Sequence, residues 1–231
     1  MQKRTQTEWA DVFSEAKHGH ILWDGDSPNP TDPNLAYTTA HTFVSYAKDN
    51  GMFKKGSNIL DLGCGNGRFG IVFSEMEVTY EGIDPMKQCI EFCKWAFEDF
   101  GHINFHHTPV QHPEYGLTGE VPKEKFTLNY PDATFDDVIV YSVFTHLQTL
   151  ETAQQYMNEV KRVMKPRARL FVTWYRSPPD PKTDTTVNRT VYREADIINM
   201  MSRLQFNSTY GGHSGEFYDQ WSIFAELISP A

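Results

Sequence analysis

A carboxylate followed by three closely spaced glycines is the part of the sequence best suited to bind a ligand. The apolar residues 59–60 lead to Asp61, and Gly63, Gly65 and Gly67 follow at every second position. Glycine adopts positive φ without strain and lets a ligand lie against bare backbone. An amphipathic run comes next, so free N–H groups at the start of a helix would face the same ligand. The pattern predicts a strand, a glycine turn and a helix that together bind a ligand with polar ends.

Two ligand classes need such a turn. Gly65, Gly67 and Gly70 match the G-x-G-x-x-G pattern of dinucleotide-binding proteins, in which a pyrophosphate lies at the helix N-terminus. Asp61 favours a different ligand, because a carboxylate at the end of the strand repels a pyrophosphate and attracts an ammonium group, directly or through water. An ordinary tight turn between strand and helix is the third alternative, since a glycine pattern alone is weakly specific.

Strand and helix patterns alternate through the chain. Two helices, near residues 9–16 and 32–51, precede the first strand. Strands are expected at 59–61, 78–84, 103–107, 135–142, 170–175, 205–210 and 221–228, and further helices at 69–76, 86–100, 150–164 and 192–204. This alternation predicts an α/β fold with a doubly wound, mainly parallel sheet, in which ligands bind at the carboxyl ends of the strands. Pro166 is expected to end the helix before the fifth strand, and 211–215 to form a glycine-rich loop that carries His213.

The length and composition are typical of one globular domain. With 231 residues the chain can build a single α/β core, so we expect one domain over 1–231. Residues 1–52 would form an N-terminal helical cap, either a lid over the site or a plain cap on the sheet. No apolar run approaches the ~20 residues of a membrane helix, and the first residues lack the apolar core of a signal peptide. Together with three cysteines, an odd number that fits a reducing compartment, this predicts a cytoplasmic protein without a membrane partner.

The charge argues against a nucleic-acid partner. The formal net charge is -9, and the chain has no dense block of lysine and arginine to neutralise phosphates. We therefore expect a small-molecule partner, while the oligomeric state is left open by the sequence.

Four histidines lie close together in the middle of the chain: His102, His106, His107 and His112. They could in principle bind a metal, and so could Cys89 and Cys93 on one face of a helix. The histidines, however, straddle a strand and a loop without acidic residues at ligand spacing, and buried cysteines usually pack as small hydrophobes. No metal site is therefore expected.

Five segments in order resemble the successive motifs of class I S-adenosylmethionine-dependent methyltransferases: 61–67 (Asp-Leu-Gly-Cys-Gly-Asn-Gly), Asp84, 130–136 (Tyr-Pro-Asp-Ala-Thr-Phe-Asp), 142–147 (Ser-Val-Phe-Thr-His-Leu) and 160–166 (Val-Lys-Arg-Val-Met-Lys-Pro). The likeness is greatest to the small-molecule branch of bacterial methyltransferase domain proteins with a Ser-Val-Phe-Thr-His-Leu segment, and it covers roughly residues 57–176. It implies a Rossmann-like, seven-stranded sheet whose last strand is antiparallel, with S-adenosyl-L-methionine as cofactor and S-adenosyl-L-homocysteine as product. Nicotinamide dehydrogenases do not combine these segments.

The resemblance also implies roles for individual residues. Asp61 would face the ammonium of the methionine moiety, and Asp84 would accept hydrogen bonds from the ribose hydroxyls. The implied cofactor-binding residues are Asp61, Gly63, Cys64, Gly65, Gly67, Asp84, Pro85, Met86, Val110, Gln111, Ser142, Val143 and Phe144. Of these, Pro85, Met86, Val110 and Gln111 would lie at the adenine, and Ser142, Val143 and Phe144 beside the sulfonium.

The chain departs from the family pattern in two places. Family members often have an acid near position 109, which binds the adenine amino group, whereas this chain has Pro109. They usually carry two glycines after the Lys-Pro pair, where Arg167 and Ala168 stand here. The first difference leaves the contact with the adenine amino group unassigned, and the second affects a turn before the fifth strand.

Methyl transfer from a sulfonium is an in-line displacement, so the protein mainly aligns the acceptor and excludes water. An alcohol or phenol acceptor needs a positioned general base more than an amine does. His146, just past the fourth strand, is the candidate base, with packing or hydrogen bonding as its alternative role. The candidate substrate-binding residues are Trp23, Tyr37, Trp174, Tyr175 and His213, of which the aromatic ones could equally close the core.

The sequence thus predicts an enzyme that transfers a methyl group from S-adenosyl-L-methionine to oxygen or nitrogen of a small molecule, such as a sugar or a natural-product intermediate. Two alternatives come from other classes. One is a non-catalytic partner protein with this fold, although such a protein need not keep both acids and the glycines. The other is a nicotinamide-dependent oxidoreductase.

Overall fold

The computed structural model describes residues 3–15, 33–111, 118–176, 190–214 and 220–228, so that Trp23 and His112 lie outside the described ranges. The helices are α1 (Gln6–Glu15), α2 (Pro33–Asp49), α3 (Gly70–Phe73), α4 (Lys87–Ala96), α5 (Leu150–Val163) and α6 (Glu194–Arg203). The strands are β1 (Asn58–Leu62), β2 (Thr79–Asp84), β3 (Ile103–His107), β4 (Phe135–Val140), β5 (Met164–Arg176), β6 (Val191–Tyr192), β7 (Phe206–Ser214) and β8 (Gln220–Leu227). The chain divides into two units, Met1–Thr108 and Pro109–Ala231.

The first unit is built on three parallel strands in the order β3-β2-β1. All of β1 after Asn58 is buried, as expected for a parallel strand that is covered on both faces. Gly82 in β2 makes room for β3, because a Cβ there would come within 2.7 Å of the Phe105 ring. The register aligns Asp61 with Gly82, and β2 ends two residues later at Asp84. The carboxyl ends of β1 and β2 therefore lie side by side, each with an acid.

The two N-terminal helices pack on this unit through aromatic side chains. Trp9 of α1 is fully buried, with its ring centroid 4.9 Å from that of Phe97 and 5.8 Å from that of Phe100. In α2, the Phe43 ring lies 4.4 Å from the ring of Phe69, which follows the glycine turn. Rings packed this closely favour the plain-cap alternative over a lid for these two helices. The cap boundary at residue 52 and the single domain stay predictions.

The second unit contains a mixed sheet in the order β4-β5-β8-β7. Strands β4 and β5 are parallel, whereas β8 runs antiparallel to both β5 and β7. Helix α5 begins at a capped position, since Thr149 Oγ1 accepts a hydrogen bond from the Thr152 N–H group (3.1 Å). Its apolar stripe, which includes Met157 and Val160, is buried.

The predicted α/β architecture, with mainly parallel strands and an antiparallel last strand, is confirmed. The described residues contain eight strands rather than seven, because the short β6 pairs with the end of β5. The helix after the glycine turn is shorter than predicted, since α3 has only four residues. Among the described helices, none is long and apolar enough to cross a membrane.

Two predicted boundaries are wrong. Pro166 does not end a helix: α5 ends at Val163 and β5 begins at Met164, ahead of the proline. Arg167 then has a φ of 66°, close to the point where the pairing of β5 with β4 shifts register. Residues 211–214 are not a loop, because β7 continues to Ser214 and the backbone of His213 pairs with Trp221.

Candidate cofactor site

The glycine turn after β1 is held by the neighbouring strand rather than left open for a phosphate. Gly63 and Cys64 donate their N–H groups to the carbonyl oxygen of Ile83 in β2 (2.8 and 3.1 Å). Gly65 donates to Asp84 Oδ2 (2.9 Å). Because these N–H groups already have partners and α3 is only four residues long, the predicted set of free donors is missing from this part of the turn. The turn thus offers a ligand backbone surface rather than a pyrophosphate site.

Gly65 and Gly67 both have positive φ, of 54° and 76°, but they are needed for different reasons. A Cβ at Gly67 would lie 2.9 Å from Cys93 Sγ and from the Phe105 ring, so Gly67 allows the turn to pack against α4 and β3. A Cβ at Gly65 would meet no atom of the residues that the structure describes within 4 Å. Gly65 is therefore the glycine that borders open space, where a ligand can approach the backbone.

Asp61 is a buried carboxylate with one oxygen unpaired. Its residue surface is 1% exposed, and Oδ2 accepts a hydrogen bond from the Tyr80 hydroxyl (2.6 Å). Among the described residues, Oδ1 has no hydrogen-bond partner. Burial raises the pKa of Asp61 to about 7, although the Tyr80 hydrogen bond and the positive charge of Arg68 lower it. Since a buried acceptor without a donor is costly, the site favours a ligand that brings a donor or a positive charge.

Asp84 joins the glycine turn to the start of α4. Its Oδ2 accepts from the Gly65 N–H group (2.9 Å) and its Oδ1 from the Met86 N–H group (2.8 Å). Burial raises the pKa of Asp84, while these two donors and His107 lower it. Pro85 lies between the acid and the helix, with its carbonyl oxygen 3.1 Å from His107 Nε2. Each carboxylate oxygen can accept a second hydrogen bond, so the carboxylate can still bind ribose hydroxyls.

In the second unit, a closed set of polar contacts holds Ser142. Its N–H group donates to Thr173 Oγ1 (2.8 Å), Thr173 Oγ1 donates to Gln220 Oε1 (2.5 Å), and Gln220 Nε2 donates to Ser142 Oγ (2.6 Å). Thr173 and Gln220 are buried, and Ser142 has a φ of 60°. A non-glycine residue in this conformation is strained, so the surrounding contacts must hold it there.

The neighbouring predicted residues follow Ser142 directly. Val143 precedes a single 3-10 turn, Phe144–His146, in which Phe144 is fully buried. His146 is half-buried at the end of that turn, where its N–H group donates to the Val143 carbonyl oxygen (3.0 Å). His146 therefore lies just past the carboxyl end of β4, as predicted.

The remaining cofactor candidates lie in the second unit too. Val110 is buried and forms a parallel bridge with Val121, and the Gln111 N–H group donates to the Val121 carbonyl oxygen (2.7 Å). Gln111 is exposed, so its side chain is available to a ligand.

The substrate-binding candidates are not brought together by the described residues. Tyr37 packs against His41 within α2, with ring centroids 4.2 Å apart. Trp174 is fully buried in β5, which favours the core alternative, whereas Tyr175 beside it is partly exposed. His213 lies in β7, where the structure describes only its backbone.

The described histidines of the central group have partners in the protein. His102 Nε2 lies 3.3 Å from the Phe73 carbonyl oxygen, and His106 Nε2 lies 2.7 Å from Glu81 Oε2. Within the described ranges, no group of three or more His, Cys, Asp and Glu side chains is arranged to hold a metal ion.

Sequence reasoning missed Tyr80, Thr173 and Gln220. The alternation of β2 was the available signal for Tyr80, because it places this residue on the same face as Gly82 and Asp84. No sequence signal connects Gln220 to Ser142, which lies 78 positions earlier.

Comparison with known proteins identifies the family. The model of the methyltransferase domain family matches residues 53–221, so the chain belongs to this family. The chain therefore contains a methyltransferase domain, which confirms the enzyme class that the sequence predicted. Solved structures of similar fold with bound S-adenosylmethionine or S-adenosylhomocysteine support the predicted cofactor. The oxidoreductase alternative is set aside.

Individual relatives agree with this family. Over 147 residues the chain is 26% identical to the O-antigen chain terminator bifunctional methyltransferase/kinase of Escherichia coli. This segment is 63% of the chain but only 18% of that protein.

Solved structures share the fold. One is magnesium protoporphyrin IX methyltransferase from Synechocystis with bound S-adenosylmethionine, with a TM-score of 0.62, 18% identity, and coverage of 99% of this chain and 100% of that one. Another is phosphoethanolamine N-methyltransferase 1 of Haemonchus contortus, with a TM-score of 0.67, 12% identity, and coverage of 99% and 51%. At these identities the likeness shows the fold.

Gly65→Ala should weaken binding of S-adenosylhomocysteine tenfold or more, because the new Cβ would occupy the open space beside the turn. The free energy of unfolding should change by only about 1–2 kcal/mol, the usual strain of a left-handed alanine. Gly56→Ala is the matched control, since Gly56 has a φ of 83° and its Cβ would also meet no atom within 4 Å, but it precedes β1. Titration calorimetry and denaturant unfolding measure the two effects. Equal affinities for both variants and the wild type would contradict the role of Gly65.

Asp61→Asn should stabilise the empty protein at alkaline pH. The pKa of Asp61 is raised to about 7 in the folded state, so its contribution to stability is present at low pH and lost as the pH rises through 7. Asparagine stays neutral, so the variant should exceed the wild type by roughly 2–4 kcal/mol at pH 8 and differ little near pH 4. Denaturant unfolding at both pH values is the measurement, with Asp11→Asn, at an exposed position of α1, as control. A stability difference between Asp61→Asn and the wild type that does not depend on pH would refute the raised pKa of Asp61.

Proposed function

We propose that the chain binds S-adenosyl-L-methionine at the carboxyl ends of β1 and β2 and transfers its methyl group to oxygen or nitrogen of a small molecule. The observation that carries the proposal is Oδ1 of Asp61, a buried acceptor without a partner in the described part of the chain, next to a turn that borders open space. An α-ammonium group, directly or through a water molecule, supplies the donor and the positive charge that this oxygen lacks.

Two further cofactor contacts are proposed at the same edge of the first unit. Asp84, with both oxygens already oriented by backbone N–H groups, accepts the ribose hydroxyls. Pro85 and Met86, both partly exposed, border the adenine. Ser142, Val143 and Phe144 of the second unit are proposed as further cofactor-binding residues from the family resemblance alone.

For the acceptor we propose a sugar hydroxyl as the first class to test. The net charge of -9 disfavours a polyanionic acceptor, and a relative is named as an O-antigen chain terminator. With an alcohol acceptor, His146 can act as the general base. The proton of the acceptor hydroxyl must leave as the new C–O bond forms and the C–S bond of the donor breaks.

The test has two stages. Calorimetry should detect binding of S-adenosylhomocysteine to the wild type and its loss in the Asp61→Ala, Asp84→Ala double variant. Transfer of a tritiated methyl group should then be measured on a panel of sugars, nucleotide sugars, amines and phenols. Binding with no transfer to any acceptor would favour the non-catalytic alternative, and absence of binding would overturn the proposal.

His146→Gln should lower kcat for an alcohol acceptor by roughly 10²–10⁴-fold with little change in KM, because a general base acts only in the transition state. It should also remove the acidic limb of the pH profile of kcat. His106→Gln, which alters an exposed histidine of β3, is the control and should leave kcat unchanged. If His146 only packs, the variant loses stability while the pH profile keeps its shape, which would refute the base assignment.

A further inference from the structure

Tyr80 is held rigidly near the start of β2. It is fully buried, with its ring centroid 5.3 Å from that of Phe73 and 5.6 Å from that of Phe105. A ring packed between two others cannot swing away without opening the core. The position of the Tyr80 hydroxyl is therefore set by packing.

That hydroxyl reaches across to the adjacent strand. Ile59 of β1 lies opposite Tyr80 in the register, and Asp61 is two residues further on the same face. The hydroxyl donates to Asp61 Oδ2 at 2.6 Å, while Oδ1 has no partner among the described residues. The carboxylate is thus fixed by one oxygen and unsatisfied at the other.

We propose that Tyr80 is a positioning residue for cofactor binding, whose hydroxyl holds Asp61 so that its second oxygen accepts from the ammonium of the methionine moiety. This inference rests on the proposed function, in which Asp61 binds that ammonium. Tyr80 touches neither the reacting carbon nor the sulfur.

The groups around Asp61 explain why this contact matters. Tyr80 is a neutral donor to Asp61. Two charged groups also act on Asp61: Arg68 favours its ionised form, and Asp84 opposes ionisation. Burial and the charge of Asp61 raise the pKa of Tyr80, with the nearby thiols of Cys64 and Cys93 acting in the same direction, so the hydroxyl stays a donor. Without this donor, Asp61 takes up a proton at a higher pH, and a neutral acid no longer attracts an ammonium group.

The test is the pH dependence of S-adenosylhomocysteine binding to the wild type and to Tyr80→Phe, measured by calorimetry from pH 5.5 to about 10.5. The phenylalanine ring keeps the packing and removes the donor. The midpoint of the acidic limb should move up by about one pH unit, the usual size of a hydrogen bond to a charged group, so the affinity at pH 7 falls up to about tenfold. The alkaline limb, which reports the ammonium of the ligand, should not move. Tyr156→Phe, which removes the hydroxyl of another buried tyrosine, should change neither limb.

A second ligand separates positioning from general damage. 5′-Methylthioadenosine has no ammonium group, so the wild type and Tyr80→Phe should bind it equally at every pH. An unmoved acidic midpoint, or equal weakening of both ligands at every pH, would overturn the inference. Failure of the wild type to bind S-adenosylhomocysteine would instead overturn the proposed function. If Tyr80→Phe does not fold, 3-fluorotyrosine at position 80 replaces it. The fluorinated phenol is more acidic and therefore a stronger donor, so it should move the midpoint of the acidic limb to lower pH. An unmoved midpoint would overturn the inference.

Discussion

The hydrogen bond from Tyr80 to Asp61 Oδ2 is the contact on which the site depends, because it keeps a carboxylate in a place that opposes ionisation. Burial raises the pKa of Asp61 to about 7 even with this donor present. Near neutral pH the empty site is therefore divided between the acid and the carboxylate. A ligand with an ammonium group binds the carboxylate and shifts this balance, so ligand binding and proton release from Asp61 are linked. In the empty protein, Asp61 is therefore a destabilising group whenever it is ionised.

The two acids at neighbouring strand ends have different tasks, although both are buried. Asp84 accepts one backbone N–H group on each oxygen and so ties Gly65 to Met86. It organises the protein whether or not a ligand is present, and its remaining lone pairs suit neutral hydroxyls. Asp61 has one donor, on Oδ2, and a buried Oδ1 that no described residue pairs with, which suits a cation. The different roles proposed for these two acids, at the two chemically different ends of the ligand, follow from this difference in the number of donors.

Helices and strands whose ends have a local sequence signal are predicted better than those whose ends depend on pairing between strands. The third strand and the start of α5 were located correctly, the latter where Thr149 caps the helix. The predicted start of β5 is too late. A proline at position 166 predicts the end of a helix from local sequence alone, whereas the strand there forms because it pairs with β4. Tyr80 was missed for a related reason: alternation gives the face of a residue, but not the register that sets its hydroxyl beside Asp61.

The hydrogen bonds of the glycine turn distinguish between the two ligand classes that the glycine spacing alone allows. A dinucleotide site needs N–H groups that point at a pyrophosphate from the start of a helix. Here the N–H groups of Gly63 and Cys64 are taken by the Ile83 carbonyl oxygen, that of Gly65 is taken by Asp84, and α3 is short. A pyrophosphate would also meet the carboxylate of Asp61 without donors from these residues to offset the repulsion. A ligand with a cationic amino-acid end reverses that interaction, and the methyl donor of this family has such an end. The acid at the end of β1 therefore decides between the ligands more strongly than the glycine spacing does.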